Sequence, residues 1–87
     1  MHILITGAAG MIGRKLTARL VKDGALHGRT IEKLTLVDVI PPEQPAGFTG
    51  HVELVAADLS AASEADRAVM RRPDVIFHLA AIVSGEA

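Results

Sequence analysis

Cysteine is absent from the 87 residues, and so are tyrosine and tryptophan. Without cysteine there is no disulfide framework, no zinc–thiolate cluster and no thiol nucleophile, and a reducing, cytoplasmic setting is the expectation. Aromatic residues make up 2% of the chain, and both are phenylalanine, Phe48 and Phe77. The stacking platforms used to grip single-stranded nucleic acid are therefore missing. Charge of one sign is also lacking: nine Lys and Arg stand against ten Asp and Glu, a net charge of −1. That balance excludes a basic nucleic-acid surface or a polybasic membrane patch. No apolar run approaches the ~18 residues of a membrane span. The short apolar stretch after Met1-His2 lacks the basic flank of a secretory signal. What the chain has is apolar side chains, 49% of the total, enough for a globular core and too many for disorder.

Apolar and polar positions alternate between two periods. Ile3-Leu4-Ile5 is a β-branched run that ends at Thr6-Gly7 and reads as a buried parallel strand. Ile12, Leu16 and Leu20 then recur every four residues among Arg14, Lys15, Arg19 and Lys22. This predicts an amphipathic helix over 11–22 with a solvated basic face, stopped by Asp23 and capped by Gly24. Leu34–Asp38 is a second strand, closed by Pro41-Pro42. A loop over Pro41–Gly50 stands where a crossover helix is the common solution. Val52–Ala56 is a third strand. A second helix follows, capped by Asp58, Ser60 or Ser63, with its apolar face on Ala65, Ala68 and Val69 and with Arg71-Arg72 at its negative end. Pro73 bars its continuation. Val75–Ala80 is the strongest strand. Strands joined by right-handed crossovers form a parallel sheet. The predicted fold is therefore α/β, the first half of a Rossmann-like doubly wound sheet with strand order 3-2-1-4, all in one domain spanning 1–87.

Thr6-Gly7-Ala8-Ala9-Gly10-Met11-Ile12-Gly13 joins the first strand to the first helix, where a phosphate-binding turn belongs. Gly7 permits a tight exit from the strand. Gly10 leaves room for a pyrophosphate against the backbone, and Gly13 lets the helix approach the sheet. The helix start offers unpaired N–H groups and partial positive charge to a diphosphate. A P-loop would need a Gly-Lys-Ser/Thr ending, which is missing. The spacing is Gly-x-x-Gly-x-x-Gly rather than Gly-x-Gly-x-x-Gly, so the glycines alone are equally a ligand-free loop. The flanking strand, helix and later acid decide for a ligand.

That acid is Asp38, at the end of the second strand, placed to accept both hydroxyls of an adenosine ribose. A carboxylate there repels a 2′-phosphate, and Val39-Ile40 offer no cation, so NAD is expected over NADP. A turn-capping role is the alternative. Asp58 follows the third strand, where it can accept from an adenine amino group with the Leu59 backbone against the ring, or cap the next helix, or both. His78 faces away from Phe77 and Leu79 and is read as structural, bonded to backbone or a polar neighbour. His2, His27 and His51 show no metal-ligand spacing.

The ordered set Thr6–Gly13, Asp38, Asp58-Leu59 and His78-Leu79-Ala80-Ala81 resembles the extended branch of the short-chain dehydrogenase/reductase superfamily, which includes nucleoside-diphosphate-sugar epimerases and dehydratases. Within that branch, Ile82-Val83-Ser84-Gly85-Glu86 is similar to members that oxidise a four-carbon sugar acid with NAD. The resemblance implies that the backbone N–H groups of Met11 and Ile12 face the diphosphate. It implies that Asp38 takes the ribose and that Asp58 and Leu59 bracket the adenine. Leu79, Ala80 and Ala81 would line the path toward the nicotinamide, with Ser84 near it. Family catalysis uses a Tyr and a Lys four residues apart with an upstream Ser or Thr. No Tyr exists here, so no residue of the chain is named as the acid–base.

The expectation is an amino-terminal piece of a longer, homo-oligomeric, NAD-dependent oxidoreductase. Its substrate would be a sugar acid or nucleotide sugar, with no nucleic-acid or membrane partner, and the piece alone would be inactive. A non-catalytic dinucleotide-binding module and an NADP-dependent reductase are the rival readings. The fourth strand would be an open apolar edge, expected to pair with another chain or aggregate in isolation.

Overall fold

In a computed structural model, which describes residues 1–58 and 70–79, the apolar runs become the strands of one parallel sheet. Strand β1 is His2–Thr6, followed by helix α1, Met11–Asp23. Two-residue strands β2 (Ala25–Leu26) and β3 (Arg29–Thr30) form a small antiparallel ribbon. Then come β4 (Lys33–Asp38), β5 (His51–Ala56) and β6 (Val75–His78). The four long strands lie in the order β5-β4-β1-β6, all parallel. This is the 3-2-1-4 arrangement expected of a half Rossmann sheet. The second helix expected ahead of Pro73 falls on residues 59–69, outside the described residues.

Ile3 and Ile5, with Leu34 and Leu36 opposite them in register, point to the α1 side and are essentially excluded from solvent. Leu20 seals them from above, and Leu16, Val21, Phe48, Val52, Val75, Phe77 and Leu79 pack around this core. Leu4 and Val37 face the other way into a smaller cluster with Val55 and Ala57. A central strand buried on both faces is what a continuous apolar run dictates.

Helix α1 rotates slightly from its predicted stripe. Gly13, Thr17 and Leu20 are its buried positions, whereas Ile12, placed by the four-residue spacing on the core face, is 54% exposed. The reason is steric: Gly13 is pressed onto the turn before the helix, so its neighbour Ile12, about 100° around the axis, faces outward. Gly24 caps the helix in the left-handed region (φ 68°), its N–H bonded to the Leu20 carbonyl at 2.8 Å.

The β2–β3 ribbon was not expected. His27 (φ 51°) and Gly28 (φ 77°) are both left-handed, the pair of positive φ values that a two-residue hairpin demands. Between β4 and β5 the chain runs without a helix through Pro41–Gly50, as its prolines and glycines implied.

Opposite α1, a polar network occupies the amino-terminal half of the sheet. His2 Nε2 and the fully buried Thr35 hydroxyl share a 2.7 Å hydrogen bond, and Thr35 Oγ1 donates to Glu53 at 3.4 Å. Arg71 Nε donates to both Glu53 carboxylate oxygens at 3.1 Å, with Lys33 at 3.7 Å. Burial opposes ionisation of Glu53, but the bond and charge of Arg71, then Lys33, hold its carboxyl below the usual range. Burial, then the Lys33 charge, keeps His2 below its ordinary value. The Asp74 carboxylate accepts the His2 backbone N–H at 2.7 Å and is held low chiefly by that bond.

Candidate dinucleotide site at the glycine turn

Strand β1 delivers the chain to the carboxyl edge of the sheet, beside the end of β4. Gly7 turns it there with φ 73°, a conformation side chains rarely adopt. Ala8 donates its N–H to the Val37 carbonyl at 3.1 Å, and Gly10 donates to the Gly7 carbonyl at 3.2 Å. Ala9 donates to Asp38 Oδ2 at 2.9 Å. The turn is therefore bound to β4 by two consecutive amides, one to main chain and one to a side chain.

Helix α1 starts at Met11 with Gly10 as its N-cap, and no side-chain oxygen caps it. Its first turn contains no acid. Arg14 N–H closes the first intrahelical bond, onto Gly10 at 2.9 Å. The N–H groups of Met11, Ile12 and Gly13 donate to no protein acceptor among the described residues. Such a helix end carries partial positive charge and accommodates an anion.

The last two glycines answer to different constraints. A Cβ on Gly13 would run into the Gly7 carbonyl oxygen and stand 2.7 Å from Ala8 Cα. A Cβ on Gly10 would meet only the Gly7 oxygen, at 3.4 Å. The protein's own packing demands glycine at 13 and nearly tolerates a methyl at 10. The bare space over Gly10 fits a group approaching from outside.

Asp38 is half-buried at the end of β4, and its Oδ1 accepts the Val39 N–H at 2.7 Å. Each oxygen keeps a further lone-pair direction. Val39 and Ile40 follow it, 66% and 70% exposed, and Met11 is 73% exposed on the turn side. Asp58 lies two residues beyond β5, at the same end of the sheet, and is exposed. Leu79 follows β6; its N–H donates to the Thr6 carbonyl at 3.2 Å while its side chain packs into the α1-side core. The predicted positions Leu59, Ala80, Ala81 and Ser84 lie outside the described residues.

His78 Nδ1 and Thr6 Oγ1 share a 2.8 Å hydrogen bond across the register pair that joins β1 and β6. This is the polar neighbour expected of a structural histidine. Beside α1 lies a cleft of about 610 Å³, floored by Ala8 and Leu36 and edged by Arg14, Lys22, Glu43 and Pro45. Its lining leaves out Gly10–Gly13 and Asp38, so it is a neighbour of the helix terminus rather than the space over it. Among the described residues no cluster of acids and histidines is suited to a metal ion, and no helix is long and apolar enough to cross a membrane. The bonds from Ala9 and Val39 give Asp38 the turn-capping role that stood as the alternative reading; that one of the turns it ties is the glycine turn is what the sequence did not show.

The model of the NAD dependent epimerase/dehydratase family matches residues 3–87. D-erythronate dehydrogenase of Cupriavidus necator is 39% identical over 92 residues, covering 100% of this chain and 28% of that enzyme. The crystal structure of a nucleoside-diphosphate-sugar epimerase from Agrobacterium tumefaciens superimposes with a TM-score of 0.87 at 67% identity, over 90% of this chain and 23% of that one. Uronate dehydrogenase from the same organism superimposes with a TM-score of 0.60 at 36% identity, over 90% of this chain and 25% of its own. The chain thus spans about a quarter of the length of these relatives.

Proposed function

The chain belongs to the NAD dependent epimerase/dehydratase family, and from that premise we propose that residues 1–87 are the NAD-binding portion of an extended short-chain oxidoreductase acting on a secondary alcohol of a small sugar acid. The observation that carries this reading is the set of three bare amides, Met11, Ile12 and Gly13, at an uncapped, acid-free helix start directly after the glycine turn.

The residues fit a dinucleotide. The three amides would donate to the diphosphate, with Gly10 admitting it close to the backbone. The free lone pairs of Asp38 would accept from the adenosine ribose. The same carboxylate would repel a 2′-phosphate, which favours NAD over NADP. Asp58, with Leu59, would bracket the adenine. Leu79, Ala80, Ala81 and Ser84 would border the nicotinamide end. Bound there, NAD supplies the acceptor for a substrate hydride. The side chains described here bind and orient; none is assigned acid–base work, which in this reading belongs to a Tyr and Lys of the longer enzyme. A sugar-acid substrate is supported by the likeness to D-erythronate dehydrogenase and uronate dehydrogenase. The likeness to a nucleoside-diphosphate-sugar epimerase keeps epimerisation of a nucleotide sugar as the second reading. The same reading carries a cytoplasmic homo-oligomer with no partner beyond its small molecules.

Calorimetric titration of the full-length protein with NAD and with NADP tests the cofactor. Tighter NAD binding is expected; equal or tighter NADP binding defeats the Asp38 argument. Reduction of NAD in the presence of D-erythronate or a uronate, followed at about 340 nm, the reduced-nicotinamide band, tests the chemistry. Activity with nucleotide sugars alone would select the epimerase reading.

A further inference from the structure

We infer that Asp38 is a positioning residue for the diphosphate turn as well as a ribose acceptor, so that one carboxylate couples the two halves of cofactor recognition. This rests on the dinucleotide reading above and deepens it.

Of the six N–H groups from Ala8 to Gly13, three are consumed by the protein: Ala8 by the Val37 carbonyl, Gly10 by the Gly7 carbonyl, and Ala9 by Asp38 Oδ2. Only the Ala9 bond depends on a side chain. Ala8 and Ala9 are the two residues between the left-handed Gly7 and the N-cap Gly10, and of these only Ala9 has its N–H held by a side chain. Beyond it the helix begins without a side-chain cap. Asp38 is itself fixed from the other side, since Oδ1 accepts the Val39 N–H at 2.7 Å. The carboxylate thus ties the turn to the end of β4. In doing so it sets where the amides of Met11–Gly13 stand. Exchange of Asp38 to admit a 2′-phosphate would therefore remove the tether along with the repulsion.

The test uses the full-length protein as wild type, Asp38→Ala and Asp38→Asn. Amide hydrogen exchange without ligand reads the tether directly. Loss of a charged hydrogen bond should speed exchange of the Ala9 amide about tenfold in Asp38→Ala, while the Gly24 amide, bonded to Leu20 at the far end of α1, stays unchanged and reports an intact fold. Inorganic pyrophosphate, which has no ribose, reads the consequence. Its affinity should fall about fivefold or more in Asp38→Ala, on the same charged-bond scale. Asp38→Asn keeps a carbonyl acceptor for Ala9 and should recover part of both effects. A ribose-only role predicts that NAD binding weakens while Ala9 exchange stays as in wild type and pyrophosphate affinity stays level or rises with loss of the like charge; that result overturns the inference. If the wild type binds neither NAD nor pyrophosphate, the dinucleotide reading has failed, and the exchange rates still decide whether the tether exists.

Discussion

Gly13→Ala and Gly10→Ala form a pair of substitutions that separates folding from ligand binding within one turn. In an ordinary helix interior, Ala replaces Gly with a gain of up to about 1 kcal/mol. At position 13 the new methyl collides with the Gly7 carbonyl oxygen and lies 2.7 Å from Ala8 Cα. Both obstacles are backbone, so no rotamer change relieves them. Overpacking of this kind costs about 3 kcal/mol, leaving a net loss of about 2 kcal/mol after the propensity gain. In urea, with a slope of about 2 kcal/mol/M, the unfolding midpoint should drop by about 1 M. At position 10 the methyl is 3.4 Å from its one near neighbour, and φ is −75°, which any residue adopts. Only the poorer N-cap of Ala counts there, about 0.5–1 kcal/mol. Gly10→Ala should nevertheless weaken NAD at least about tenfold, because the methyl occupies the space left for the diphosphate. A Gly13→Ala protein as stable as wild type refutes the packing argument. A Gly10→Ala protein with undiminished NAD affinity refutes the ligand argument.

Ile5→Ala, in the centre of the sheet and fully buried, should cost about 3 kcal/mol in equilibrium unfolding; a loss under about 1 kcal/mol would mean that the core lies elsewhere. Gly24→Ala meets no atom within 4 Å but forces φ 68° on a side chain, so it should cost about 1 kcal/mol from backbone strain alone; unchanged stability would show that the cap is not held left-handed. Stability should decline in acid in two steps. His2 titrates below its ordinary 6.5 in the fold, so below that pH the unfolded chain takes up the proton first and gains. Glu53 titrates below its ordinary 4.5, so its contribution is present above that pH and lost as pH falls through the folded value. Glu53→Gln should shrink the second step by about 1 kcal/mol, a modest figure because the Arg71 pair is partly solvated; an unaltered pH profile of urea midpoints would show that the network does not act in the fold.

The strand order was legible because it follows from a few strong signals: apolar runs at Ile3–Ile5, Leu34–Val37 and Val75–Phe77, and the handedness of crossovers between them. The glycine turn was legible because left-handed geometry and close approach restrict residue choice so sharply. The β2–β3 ribbon was not, since two-residue strands are too short to carry a period; only His27-Gly28 marked it. Ile12 was misplaced because a four-residue spacing counts apolar side chains, whereas the helix is docked through a residue with none, Gly13. The network of His2, Thr35, Glu53 and Arg71 joins positions up to 69 apart in sequence (71 − 2), and nothing local in the chain announces it. The Asp38–Ala9 bond likewise exists only once β1 and β4 lie side by side.

The most direct measurement is an amide-resolved NMR titration of the full-length protein with NAD. The account predicts that the largest shift changes fall on the N–H groups of Met11, Ile12 and Gly13, with Ala9 responding through Asp38. Saturating NAD that leaves these three amides unmoved, with its changes elsewhere or nowhere, would contradict it.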